Sequence, residues 1–267
     1  MSFLKKLFGI KTEKLEPVTK KSDPINIEEE FIKTIDILSK FKRKAYLPRV
    51  NENPNSFSTQ SKIGGFPYLR NENDWPICPN CQKNMQLFLQ LNLNDLPERK
   101  DEGLIQLFYC TTSDPVCEFD LDAFFPFSKA VNCRKIDILG ESHKIEPVID
   151  EVFNEKIIVD WIPVDDHPHF EEYQQLGIEL DLQDGIYELM EERKIGLPIS
   201  KDKLFGWPYW VKSVEYPYDR KTETQMELLF QFDSEDNLPY MFGDVGVGHL
   251  TQSPDNKGEL GFGWACH

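Results

Sequence analysis

Apolar positions in this chain change period along its length. From Phe31 through Ile32, Ile35, Leu38 and Phe41 they recur at three and four, which predicts a helix capped by Asp23 or Asn26, with Glu28 to Glu30 near its positive end. Lys40, Lys42, Arg43 and Lys44 are placed at its negative end, and Pro48 with the run Asn51 to Asn55 then marks a loop. Beyond that loop the pattern becomes short apolar runs of strand length. These are Met85 to Gln90, Leu104 to Cys110, Ala130 to Ile136, Ile157 to Ile162, Met226 to Gln231, Val247 to Gln252 and Leu260 to Cys266. Helical spacing returns near His169 to Leu176 and Leu180 to Lys194, and Gly196-Leu197-Pro198 stops the last helix.

Shifting the sequence by 141 positions lays Gly65-Phe66-Pro67-Tyr68 on Gly206-Trp207-Pro208-Tyr209, and Met85 to Gln90 on Met226 to Gln231. Between residues 65 and 95 this gives eight identities in 31 ungapped positions, concentrated in Gly, Pro, aromatic and Gln landmarks, so an internal duplication is expected. The predicted fold class is α+β: two tandem β-rich repeats packed as a pseudo-symmetric pair, with an N-terminal helix and a helical acidic insert between them. The expected organisation is a basic segment over residues 1–22, a first lobe over 23–140, an acidic connection over 141–200 and a second lobe over 201–267.

Charge sharpens this division. The 267 residues carry 46 acidic and 30 basic side chains, and 46 − 30 gives a net charge of −16. Residues 141–200 hold 16 acids against 4 bases, a balance of −12. A solvated face is the plainer account of that block; a docking face for a basic protein partner is the sharper one. So negative a chain repels phosphate backbones, so direct nucleic-acid binding is not expected. No run approaches the roughly 18 apolar residues of a membrane span and no secretory signal is read, which leaves the cytoplasm as the expected compartment. Residues 1–10, with Phe3, Leu4, Leu7 and Phe8 beside Lys5 and Lys6, leave open a weak membrane-surface contact, second to a frayed or docked terminus.

The cysteines carry the most specific chemistry. Cys78-Pro79-Asn80-Cys81 is a two-residue knuckle, and Cys110, ending the strand that should neighbour the one after the knuckle, is followed by Cys117 with six residues between them. Four thiolates so placed point to one structural zinc ion per chain. Burial as four reduced thiols, or a redox role, are the alternatives. At the corresponding positions of the second copy stand Asp219, Thr222 and Ser253, which have lost the thiolates, so no second zinc is expected there. Cys133 and Cys266 read as core.

Enzyme motifs are sparse. There is no G-x-S-x-G elbow, no phosphate-binding G-x-x-x-x-G-K-[ST] loop and no H-E-x-x-H. The residual catalytic candidates are Asp244 and His249 in the Gly-rich stretch Gly243 to His249, where a tight strand entry is the stronger account. Asp165-Asp166-His167-Pro168-His169 reads as a surface loop.

The phrases Lys62-Ile63-Gly64-Gly65-Phe66-Pro67, Trp75-Pro76-x-Cys78-x-x-Cys81, Leu204-Phe205-Gly206-Trp207-Pro208-Tyr209-Trp210 and Asp233 to Asp244 resemble the YwqG-like family, a bacterial family of unknown function. The resemblance runs from about Leu47 to His267. It implies a two-copy α+β protein without an established enzyme activity, and for some members a role as immunity proteins against secreted toxins. Many relatives also carry a knuckle in the second copy, and this chain departs from them there. The stretch from Ile63 to Cys117 is more distantly similar to the opening of the programmed cell death protein 2 family, which implies chaperone-like binding of a basic ribosomal protein. Together these readings give an expected non-catalytic, zinc-stabilised protein-binding module, an immunity protein for a basic toxin being the favoured role. A chaperone of a basic nascent protein and a small-molecule enzyme using Asp244 and His249 are the alternatives.

Overall fold

The structure is a computed structural model, and it describes residues 26–52, 56–99, 101–180, 182 and 184–267. The expectations for residues 1–22, for membrane contact by residues 1–10 and for an Asp23 cap lie outside the described residues.

In chain order, the elements that build the fold are α1 (Ile27–Ser39), β1 (Arg43–Glu52), β2 (Lys62–Ile63), β3 (Gln86–Asn92), β4 (Leu104–Tyr109), α2 (Cys117–Asp120), β5 (Val131–Ile136), β6 (Lys156–Asp166), α3 (Tyr173–Leu176), α4 (Asp184–Arg193), β7 (Lys203–Phe205), β8 (Glu227–Asp233), β9 (Val247–Gln252) and β10 (Leu260–Ala265). The strands form one ten-stranded antiparallel sheet in the order β10-β9-β8-β7-β1-β6-β2-β3-β4-β5. Its two edges, β5 and β10, approach each other, so the sheet curls into a nearly closed barrel. The fold is thus dominated by β structure, with few helices.

The barrel interior is aromatic. Phe88 on β3 stacks on Tyr109 with centroids 4.9 Å apart and meets Tyr240 at 5.0 Å, Phe242 at 6.1 Å and Phe232 of β8 at 6.5 Å. Side chains from both arms of the sheet therefore share one core, and burial of each such ring contributes roughly 2–3 kcal/mol. Strand β3 is buried on both faces from Gln86 to Leu91, which is why it reads as a continuous run with no alternation. A second, smaller cluster joins α1 to the helices after β6 through Phe31, Leu38, Tyr173, Ile178, Ile186 and Met190.

Several expectations are corrected. Pro48 and Asn51 lie inside β1, a strand at the middle of the sheet, where only a loop was expected; residues 53–55 lie outside the described residues. Proline is tolerated there because β1 meets β7 only at Ala45 and Tyr46, so beyond them one side of the strand is free of sheet partners. The helix α1 ends at Ser39 without a basic last turn, and Arg43 and Lys44 belong to β1, Lys44 and Lys42 reaching Asp165 at 2.6 and 2.9 Å. Asn26 takes the N-cap position but makes no side-chain cap bond. The acidic connection is not a purely helical insert: its strand β6 pairs with β1 along ten positions and with β2, at the centre of the sheet. Acids could be spent on that strand because Asp160 and Asp165 face solvent and find Arg49 and Lys42/Lys44. Among the described residues no helix is long and apolar enough to cross a membrane.

Candidate metal centre

The knuckle is built by backbone hydrogen bonds before any metal is considered. Cys78 N–H donates to Lys83 O at 2.9 Å, Gln82 N–H returns to Cys78 O at 3.0 Å, and Ile77 bridges Asn84. Gln82 takes a left-handed φ of 60°, which closes the turn and leaves both thiols on one side. Cys110 follows directly on β4, held by its N–H to Ala130 O at 2.9 Å. The six residues between Cys110 and Cys117 look too many for a knuckle, but Ser113 bridges Val116 and folds the excess into a turn that delivers Cys117 at the start of α2.

The four sulfur atoms of Cys78, Cys81, Cys110 and Cys117 all lie within 4.8 Å of one another, and Cys81 Sγ and Cys110 Sγ are 3.7 Å apart. All six cysteines are free thiols. A tetrahedron of thiolates at about 2.3 Å from a central ion has edges of about 3.8 Å, so the pocket has the size a metal requires. Cys78, Cys110 and Cys117 are buried and Cys81 is half-buried.

Groups around the sulfurs are hydrogen-bond donors, as a cluster of anionic sulfur requires. Asn80 Nδ2 lies 3.5 Å from Cys117 Sγ and is itself anchored to Asp120 at 3.0 Å. Cys81 Sγ, as a thiol, donates to Thr112 Oγ1 at 3.4 Å, a hydroxyl that turns to donate once the sulfur is ionised, and the backbone amides of Lys83 and Thr112 serve Cys81 and Cys110. Burial pushes the Cys81 thiol up, but Thr112, the Lys83 amide and the neighbouring thiols outweigh it and bring the group down to about 7. Burial wins at Cys110 and Cys117, whose thiols are pushed up without a metal. Asn80 and Thr112 were not singled out in the sequence; the polar residue inside the knuckle was the available signal for the first.

At the positions 141 residues on, the turn is kept and the sulfur chemistry is not. Asp219 N–H donates to Thr224 O, Glu223 N–H to Asp219 O, and Tyr218 bridges Gln225. The Asp219 carboxylate is held below its ordinary range by Ser253 and by the amides of Lys221 and Thr222. The loop's own amides, of Lys221 and Thr222, serve one oxygen of the acid, Oδ1, at 2.7 and 3.0 Å.

The other sequence candidates are not brought together. His249 on β9 faces a cavity with Trp210, Tyr216 and Trp264, whereas Asp244 is exposed, does not line that cavity, and offers its backbone carbonyl to His267 N–H. Burial, and then the charge of Lys203, hold the His249 imidazole down to about 3. Of the Asp165 to His169 stretch, Asp166 is fully buried against Lys203, and His169 is a buried ring beside Phe170 and Tyr209. Cys133 packs partly buried on β5, and Cys266 lies just past β10, also partly buried.

Among known proteins, a stretch of 62 residues is 34% identical to the uncharacterized protein YpfL of Salmonella typhimurium (strain LT2), covering 23% of this chain. That stretch is 14% of YpfL, so the match spans only a small part of the relative's length. The family model described as Domain of unknown function (DUF1963) matches residues 61–262, from β2 into the first half of β10 and including all four cysteines, and the chain belongs to that family.

Proposed function

We propose that this chain is a non-catalytic binding protein, stabilised by one structural zinc ion on Cys78, Cys81, Cys110 and Cys117, whose acidic face captures a basic protein. The observation that carries the zinc reading is the convergence of four thiols within 4.8 Å, with amide and carboxamide donors around them and the Thr112 hydroxyl within hydrogen-bond reach of Cys81. Zinc suits an all-sulfur tetrahedron closed to solvent, with no open position for substrate. Its place is structural: it ties the loop before β3 to the end of β4 and the start of α2. Six free thiols fit a reducing compartment such as the cytoplasm.

The binding reading is supported by the acids of the segment after β5. Glu141, Glu146, Glu151, Glu179, Glu188 and Glu192 are exposed and make no ion pair among the described residues. Unpaired surface acids raise association rates with a basic partner and make them salt-dependent. Within this reading we favour toxin immunity, the role that fits the YwqG-like resemblance. The matching turns at Cys78 and Asp219, and the matching amide bonds of Gln90 to Tyr68 N–H and Gln231 to Tyr209 N–H, both 2.8 Å, support descent of the two arms from one duplicated unit.

Elemental analysis of protein purified without added metal tests the first part. About one zinc per chain, lost in both Cys78→Ser and Cys110→Ser, is the expected result; a metal-free wild type sinks it. The second part is tested by titration with a basic protein encoded beside this chain's gene. Nanomolar, salt-sensitive binding is expected, and the absence of any basic neighbouring product counts against immunity.

A further inference from the structure

The two arms of the sheet differ at one spot. Gln106 on β4 stands opposite Gln90 on one side and Arg134 of β5 on the other. On β9, His249 stands opposite Gln231 and, on β10, Gly263. In the first arm the Arg134 guanidinium occupies the space over these residues. Its Nε and Nη2 donate to Gln106 Oε1 at 2.9 and 2.7 Å, its Nη1 donates to Asp74 O at 2.7 Å, and its Cζ lies 5.0 Å from the Phe108 ring centroid. Gly263 supplies no side chain, and the second arm instead has a cavity of about 220 Å³ lined by Trp210, Tyr216, His249, Trp264, Phe124 and Glu215 among others. Glu215 stands 141 positions after Asp74.

The hydrogen-bond inventory of this cavity is one-sided. Trp210 Nε1 and Tyr216 Oη both donate to Glu172 Oε1 at 2.7 Å, and Trp264 Nε1 donates to Tyr109 Oη at 2.9 Å. Thr251 Oγ1 donates to Gly261 O, and Ser213 Oγ to Glu215 Oε1. The side-chain donors of the wall named here are therefore spent elsewhere, and the side chains facing the cavity present aromatic surface and acceptors. His249 Nε2 is buried without a hydrogen-bond partner, while the backbone of Tyr209 serves the ring's other side. Glu215 is the charged group of the lining, which contains no lysine or arginine.

We propose that this cavity binds a guanidinium group supplied from outside the chain. A guanidinium has five donors and no acceptor, is planar and stacks on aromatic faces, so it complements each part of the lining. An ammonium lacks the plane, and a neutral amide or urea brings an acceptor that finds no donor here. The site stands independently of the acidic face described above. Two sources share this chemistry: a free small guanidine, or an arginine side chain of a protein.

The test is NMR titration of the full chain with N-ethylguanidinium, followed at the indole N–H signals of Trp210 and Trp264. Saturable shifts at both are expected, with N-ethylurea and ethylammonium weaker by about tenfold or more. Glu215 is exposed, so Glu215→Gln is expected to leave thermal stability unchanged and weaken binding about tenfold, and Glu215→Lys to abolish it. His249→Phe keeps a ring of similar size and is expected to weaken binding in the same direction. Equal binding of the urea, indifference to Glu215→Lys, or no saturable shift with any guanidinium overturns the proposal. Agmatine and an acetyl-arginyl peptide then separate the sources: tighter binding of the peptide assigns a protein arginine, and tighter binding of agmatine a free guanidine.

Discussion

Lys203 Nζ lies 2.8 Å from Asp166 Oδ2 with neither side chain exposed. The same relationship joins Lys62 and Glu155 at 2.7 Å, again with both buried. Asp166 ends β6 and Glu155 immediately precedes it, so the central strand carries an anchor at each end, one gripping Lys62 of the adjacent short strand β2 and the other Lys203 of β7, which lies on the far side of β1. Asp166 also accepts from Trp207 N–H at 2.8 Å and Ile199 N–H at 3.0 Å. Asp166→Asn is expected to destabilise the protein by about 3–5 kcal/mol, because it leaves a buried ammonium uncompensated. Replacing both members, as Lys203→Met with Asp166→Leu, is expected to recover part of that loss in urea denaturation; a double variant worse than the sum of the singles would refute the account.

Gly206 approaches the same carboxylate. Its φ is +80°, and a Cβ there would run into Asp166 Oδ2 and Ala45; Gly65, at φ +76°, would place a Cβ 2.7 Å from that of Glu155. Alanine at either position adds a strained backbone to a clash with a charge that cannot move. A loss of about 2 kcal/mol or more is expected for each variant by chemical denaturation.

Asp202 gives the molecule a pH dependence of opposite sign to that of a paired carboxylate. Burial, and then the charge of Asp236, push its carboxyl up to about 7. The folded state then holds a proton that the unfolded chain releases near pH 4, so this contribution is fully present below that and declines as pH rises to about 7. The slope is about 1.4 kcal/mol per pH unit at most. Asp202→Asn is expected to exceed the wild type in stability at pH 8 and to lose its advantage at pH 4. Parallel melting curves across that window would show the assignment to be wrong.

Thiol reactivity reports on the cysteine cluster. In metal-free protein at pH 7, Cys81, brought down to about 7, is expected to alkylate with iodoacetamide well before Cys110 and Cys117, whose thiols burial pushes up. Bound zinc is expected to protect all four. Mass mapping of the first modified residue checks the order, and uniform labelling would contradict it.

Strands were legible where a short apolar run is bounded by turn residues. The apolar runs at β4 and β9 coincide with the observed strands to within a residue, and β3, β8, β5 and β10 are displaced by only a few positions. The knuckle and its second pair were legible because thiols at that spacing have few other uses in a reduced chain. Strand β1 was missed because Arg43, Lys44, Pro48 and Asn51 have the local chemistry of a helix end and a turn, and only pairing with β6, more than a hundred residues on, makes them a strand. The Arg134 and Gly263 contrast was equally invisible, since it exists only once β5 and β10 are set in register with their neighbours.

The central position of β1 also bears on how the chain is made. Its neighbours are β6 and β7, so Ala45 waits for Val164 and Phe205, while β2 likewise needs β6. During synthesis, β3, β4 and β5 emerge as a meander that can pair within itself, yet the strand meant to begin the barrel stays without a partner until residue 156 and beyond have left the ribosome. A product truncated before β6 therefore exposes an unpaired strand, and clearance of such fragments by proteases or holdase chaperones is the burden that this strand order places on the cell.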